Sequence, residues 1–228
     1  MIPITAIDHF IWAGLIFLSF YTVYRKYQEN QNEMLKNFYM FFLVWSTGFF
    51  GLMASMFTLG AYLGNDMILS LGYVIPHIFA FVSIGYLWKV QSSINFPKYQ
   101  KLFWVFVGYG VLLVGYGLLN RPDVAVQDGV VTYGGSMFSS LIPLGMTVSA
   151  VLISGSSFYS AYVTKGDTRR KLVLIGIGTM LSLVFGSIFH NLGYKLLGEA
   201  TNLVWISIFL AVTHWQMLQE KLSGLRGE

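Results

Sequence analysis

The chain has 228 residues, of which 55% are hydrophobic and only 11% charged, a balance that excludes an ordinary soluble globular domain. It contains no cysteine, which excludes disulfides and thiolate metal sites. The formal net charge of +4 is no sign of nucleic-acid binding, because the basic residues are sorted between hydrophobic blocks rather than gathered in a patch.

Seven apolar blocks run along the chain: Ile7–Tyr24, Phe38–Leu63, Met67–Trp88, Leu102–Leu119, Met137–Val163, Leu172–Leu192 and Thr201–Leu218. A helix needs about 20 residues to cross a hydrocarbon layer of about 30 Å. The blocks are continuous and lack the alternation of a barrel strand. Helices also satisfy their own backbone in lipid. The expected fold is therefore all-α, an integral membrane bundle of seven transmembrane helices over residues 1–218, with a short tail at 219–228.

The charges orient this bundle. Arg25, Lys26, Lys36, Lys89, Lys98, Lys101, Lys165, Arg169, Arg170, Lys171, Lys221 and Arg226 fall on one side, leaving only Arg121 and Lys195 on the other. Basic loops stay in the cytoplasm, so the N-terminus is expected outside and the C-terminus inside. The implied location is a prokaryotic cytoplasmic membrane.

Span one has its positive charges after the apolar run, so it reads as a retained helix and not as a signal peptide. His9 sits at its outer entrance. Span two closes as FTLGAYLGND (Phe57–Asp66), and span six as HNLGYKLLGEA (His190–Ala200). Either two helix exits use glycine in the same way, or two three-helix units are duplicated around span four. Span three places His77 near the membrane midplane. The segment Asn120–Ser136 after span four reads as a loop.

Span five is rich in hydroxyls. Ser139, Ser140, Thr147, Ser149, Ser154, Ser156, Ser157 and Ser160 accompany Gly145, Gly155 and the kink-favouring Pro143. It reads either as a tightly packed central helix or as a wall of a polar cavity. Span six carries His190 close to its outer end, followed by Asn191, with Tyr194 one turn beyond. Trp45 of span two and Trp205 of span seven lie at depth, and His214 lies near the inner end of span seven. Trp12, Trp88, Trp104 and Trp215 lie nearer span ends, where aromatic belts form.

Every Asp and Glu falls in a loop or at an interface, which argues against an ion-coupled pump. Span seven has no lysine for a retinal Schiff base. No phosphate loop, dinucleotide fingerprint or HExxH pattern is present, and no catalytic constellation marks an enzyme.

The stretches LKNFYMFFLVWSTGFFGLM (Leu35–Met53), DTRRKLVLIGIGTMLSLVFGSIFHNLG (Asp167–Gly193) and THWQMLQEKL (Thr213–Leu222) resemble the seven-helix N-terminal sensory domain of some prokaryotic histidine kinases. The resemblance lies in layout. It implies an outside N-terminus and a helical exit toward a cytoplasmic output. No kinase follows Glu228, so the expectation is a truncated sensor or a free-standing subunit that signals through a partner.

Three functions follow as expectations. The first is a non-enzymatic receptor or sensor binding a small apolar ligand in the outer half of the bundle, through His77, Ser139, Ser140, His190, Asn191 and Trp205. The second is a membrane subunit of an electron-transfer complex, binding quinone or a b-type haem held by His77 and His190. The third is a small-solute transporter with a three-plus-one-plus-three layout. The expected partners are the lipid bilayer, a cytoplasmic or membrane protein, and a second copy of the chain, with no nucleic acid.

Overall fold

The computed structural model of the chain describes residues 2–133, 136–186 and 195–214. Helix α1 (Ile4–Asn30) ends where Gln31 turns left-handed at φ 44°. Asn32 starts α2 (Glu33–Leu43), its side chain accepting from the Met34 amide at 2.7 Å. The helix continues through a π-helical segment, π1 (Val44–Gly51), into α3 (Leu52–Leu63), and stops at Gly64 with φ 59°. Asn65 then caps α4 (Asp66–Val74). That helix runs into α5 (Pro76–Asn95), because Pro76 stands at the first position of the new helix, where its missing N–H matters little. A short 3-10 turn, Pro97–Leu102, leads into α6 (Phe103–Leu119).

Helices α7 (Met137–Val163) and α8 (Gly166–Met180) follow. The latter passes into a second π-helical segment, π2 (Leu181–Gly186). Last comes α9 (Lys195–Thr213). Among the described residues five stretches are long and apolar enough to cross a membrane: Ile4–Asn30, Glu33–Leu63, Asp66–Ile94, Pro97–Leu119 and Met137–Val163. The first four outrun the apolar blocks at their ends. Helices propagate beyond lipid as long as caps and backbone bonds hold, as where the Asn30 side chain bonds to the Lys26 carbonyl.

One element departs from an all-α reading. The segment expected to be a loop contains a two-stranded antiparallel hairpin, β1 (Val124–Gln127) and β2 (Val130–Tyr133). Its turn is Asp128-Gly129, with φ 50° and 76°. Asp-Gly suits the left-handed pair of a two-residue hairpin turn, and the flanking VAVQ and VVTY supply β-branched residues. The hairpin is pinned to the start of α1: the Ile4 amide donates to the Gly129 carbonyl at 2.8 Å, and the Val131 amide to the Thr5 hydroxyl at 3.0 Å.

At the opposite end Lys26 Nζ reaches the Thr213 carbonyl at 3.3 Å, and the Thr22 hydroxyl lies 3.4 Å from His214 Nε2. The C-terminal ends of α1 and α9 therefore meet at the end that carries the basic loops. Between the two ends the core is aromatic and close-packed, with Phe42, Phe57, Phe81, Phe138, Ile153 and Trp205 fully buried. Small residues set the helix separations. A Cβ on Gly117 would fall 2.6 Å from the Phe138 ring, and one on Gly145 would strike Tyr109.

The hydroxyls of α7 mostly serve packing. Ser149, Ser156 and Ser157 return bonds to carbonyls of their own helix. Ser154 crosses to the Gly176 carbonyl of α8 at 2.9 Å. Pro143 lies inside α7 without ending it.

Candidate functional site: an indole-lined cleft between helices

His77 is buried, at 4% exposure. Its Nδ1 lies 2.7 Å from the Tyr73 carbonyl one turn back, so that nitrogen carries a donated proton. Phe49, Tyr73 and Phe138 surround the imidazole, with ring centroids 5.4, 5.4 and 5.6 Å away. A porphyrin at this ring would have to displace those three side chains. Ser139 is buried nearby, within reach of the Tyr73 hydroxyl and 3.0 Å from the Ser136 hydroxyl. Ser140 faces outward and bonds to the Ser136 carbonyl of its own helix. Trp205 lies elsewhere, against Trp45 and Phe209. His190 and Asn191 lie outside the described residues, as do residues 190–194 of the span-six half of the repeat. His77 and Ser139 thus share a neighbourhood, while Ser140 and Trp205 belong to other surroundings. Among the described residues no group of three or more His, Cys, Asp or Glu side chains could hold a metal ion.

Trp205 borders a narrow apolar cleft lined by Phe41 of α2, Trp45 of π1, Ile84 and Leu87 of α5, Thr179 of α8, Ser182 and Leu183 of π2, and Phe209 of α9. About 240 Å³ of it, counting the open space at its mouth, is free of atoms. The part wide enough to take the centre of a water molecule is only about 10 Å³, on the order of a single water. Trp45 and Trp205 meet edge to face, with centroids 5.7 Å apart and planes at 89°.

Neither indole N–H has a hydrogen-bond partner, and both are sealed from solvent. Trp88 provides the contrast, since its indole donates to the Tyr99 carbonyl at 2.8 Å. A third unpartnered group is the amide of Gln91, which is fully buried. It follows Leu87 by one turn on the same face of α5.

The two π segments converge on this cleft. A π turn widens the helix and spoils the regular ladder, and such segments recur at functional sites. Around π1 hydroxyls bond to carbonyls of their own helix: Ser46 and Thr47 both donate to the Leu43 carbonyl, at 3.2 and 2.7 Å, and Ser55 to Gly51 at 2.7 Å.

A second, wider cavity of about 700 Å³ opens at the hairpin end, between α4 and the hairpin. Asp66, Arg121 and Asp123 line it, and all three are exposed to solvent. The Ser70 hydroxyl braces its floor by donating to the Pro122 carbonyl at 3.1 Å.

Reading the sequence alone misses most of the cleft. Trp45 stands out only as a deep tryptophan, and Phe41, Thr179 and Ser182 carry no signal. Periodicity cannot reveal that π1 and π2 will border one cleft. No protein-family profile, curated protein or solved structure matches this chain.

Proposed function

We propose that the chain is a non-enzymatic receptor or sensor module of a prokaryotic cytoplasmic membrane. In this reading seven helices span the bilayer, with the N-terminus outside and the C-terminus in the cytoplasm. A small apolar ligand occupies the cleft among α2–π1, α5, α8–π2 and α9, and the signal passes to a cytoplasmic partner. The observation that carries the reading is that both π segments border one apolar cleft. A ligand wedged there acts on the two places where the helical ladder is least regular, and helix shifts of about 1–2 Å suffice for switching. The ligand gains by taking its own apolar surface out of water, at roughly 25 cal/mol per Å², and wedges apart side chains that otherwise leave room for about one water.

This reading moves the pocket from the outer half around His77 to the cleft beside Trp205. It agrees with the layout resemblance to kinase sensory domains and with the lack of a catalytic constellation. Ser182→Trp fills the cleft from π2 and provides the test. Native mass spectrometry of the wild-type protein, released directly from its membranes, is expected to show a bound small lipophile that the variant lacks. An adduct retained by the variant, or none in the wild type, contradicts the reading.

A quinone-binding subunit is a second reading of the same cleft, favoured by its aromatic lining. It requires the bound lipophile to change its absorption between oxidised and reduced preparations.

A further inference from the structure

We infer that the ligand of this cleft carries a hydrogen-bond acceptor, a carbonyl oxygen on a slender apolar body, and that Trp45 and Trp205 together bind that oxygen. The inference rests on reading the cleft as a ligand site and adds the chemistry of the ligand's head. A buried N–H without a partner is costly, and more so where no water can enter. Two such donors belong to side chains that line the same cleft and touch each other, with ring centroids 5.7 Å apart. A carbonyl oxygen has two lone pairs, so one oxygen can accept from both indoles.

Two competing explanations account for less. A single trapped water also has two lone pairs, but it would bring two protons needing acceptors into a mainly apolar lining. Among the described lining residues only Thr179 and Ser182 bring side-chain oxygens, and Thr179 already donates to the Ile175 carbonyl at 2.8 Å. The edge-to-face contact of the two rings allows an N–H to point at the neighbouring π face. Such contacts are weak, and one perpendicular pair serves one of the two donors. The narrowness of the cleft selects the body of the ligand. With room for about one water, a bound chain has to part Phe41, Ile84 and Leu87, which a linear or lightly branched chain does at less cost than a bulky polycyclic body.

The indole ¹⁵N–¹H spectrum of the full chain in lipid nanodiscs tests this. Signals are assigned with Trp45→Phe and Trp205→Phe, whose helical content is checked by circular dichroism. The probes are undecan-2-one and undecane, alike in length but differing in the carbonyl. The ketone is expected to move the Trp45 and Trp205 N–H signals downfield while the remaining tryptophans stay in place. Each single variant is expected to weaken ketone affinity by about three- to tenfold, as loss of one hydrogen bond implies. Undecane binding that perturbs the cleft as strongly as the ketone, without preference between them, overturns the acceptor inference and leaves the ligand cleft standing. Failure of both probes to perturb either indole overturns both. If the ketone binds and each Trp→Phe variant binds it as tightly as the wild type, the donors are not its partners.

Discussion

Gly145→Ala probes the packing that holds the bundle together. A Cβ at this position strikes Tyr109 Cε1, lies 2.8 Å from Tyr109 Cζ, and lies 2.9 Å from Phe81 Cζ. Neither ring can retreat freely. Phe81 is fully buried, and the Tyr109 hydroxyl is tied to the Leu141 carbonyl at 2.7 Å. Overpacking of this kind costs roughly 1–3 kcal/mol. Losing the tyrosine bond adds about 1 kcal/mol. Against these, alanine is a better helix former than glycine by about 1 kcal/mol. The net is a destabilisation of about 1–3 kcal/mol, which lowers the midpoint of thermal unfolding in detergent by about 2–12 °C for a chain of this size.

Gly155→Ala, on the same helix, is the control. A Cβ there meets nothing within 4 Å, so its midpoint is expected to equal or exceed that of the wild type. Adding Tyr109→Ala to Gly145→Ala is expected to remove most of the glycine penalty, because the obstructing ring is gone. A Gly145→Ala protein that melts with the wild type, or a Gly155→Ala protein that falls as far, refutes the packing argument.

Other outcomes follow from particular bonds. Gly129→Ala places a side chain at φ 76° in the hairpin turn, at a cost of about 1–2 kcal/mol; hydrogen exchange is expected to rise at the Ile4 and Val131 amides, which the hairpin holds. Ser154→Ala removes the one α7-to-α8 bond of this serine and is expected to cost about 0.6 kcal/mol and no more than about 1.7 in equilibrium unfolding. Ser157→Ala, whose hydroxyl bonds within its own helix, is expected to cost less. His77→Phe, outside the indole cleft, is expected to leave the ketone-induced shifts of Trp45 and Trp205 unchanged, and their loss in that variant would tie His77 to the ligand site.

Hydropathy made the long apolar helices legible, because a bilayer demands long apolar runs with polar ends. Met137–Val163 has the same bounds in sequence and structure, since Ser136 caps its start and Thr164 is extended at its end. The hairpin was legible in principle. VAVQ-DG-VVTY carries both the alternation and the turn pair, but four-residue strands are weak beside blocks of twenty apolar residues. The site was less visible. Attention to intramembrane polar residues singles out His77, yet its polar need is met by the Tyr73 carbonyl one turn away. The unmet needs belong to Trp205, which the sequence suggests as a pocket residue only in company with His77, and to Trp45, which it marks as no more than a deep tryptophan. Whether an indole finds an acceptor depends on which helices face each other. The π segments are equally hidden, because one extra residue in a turn changes no composition.

The absence of cysteine allows the central claim, that filling the cleft shifts α8 against α2, to be measured directly. Spin labels at Lys36→Cys and Arg169→Cys, at the basic ends of α2 and α8, report the separation of these helices by pulsed electron paramagnetic resonance in nanodiscs. With undecan-2-one at saturation the distance distribution is expected to move by about 1–2 Å or more, and Ser182→Trp is expected to hold it at one position with or without the ketone. A distribution that stays unchanged while the indole signals show the ketone bound would contradict the account.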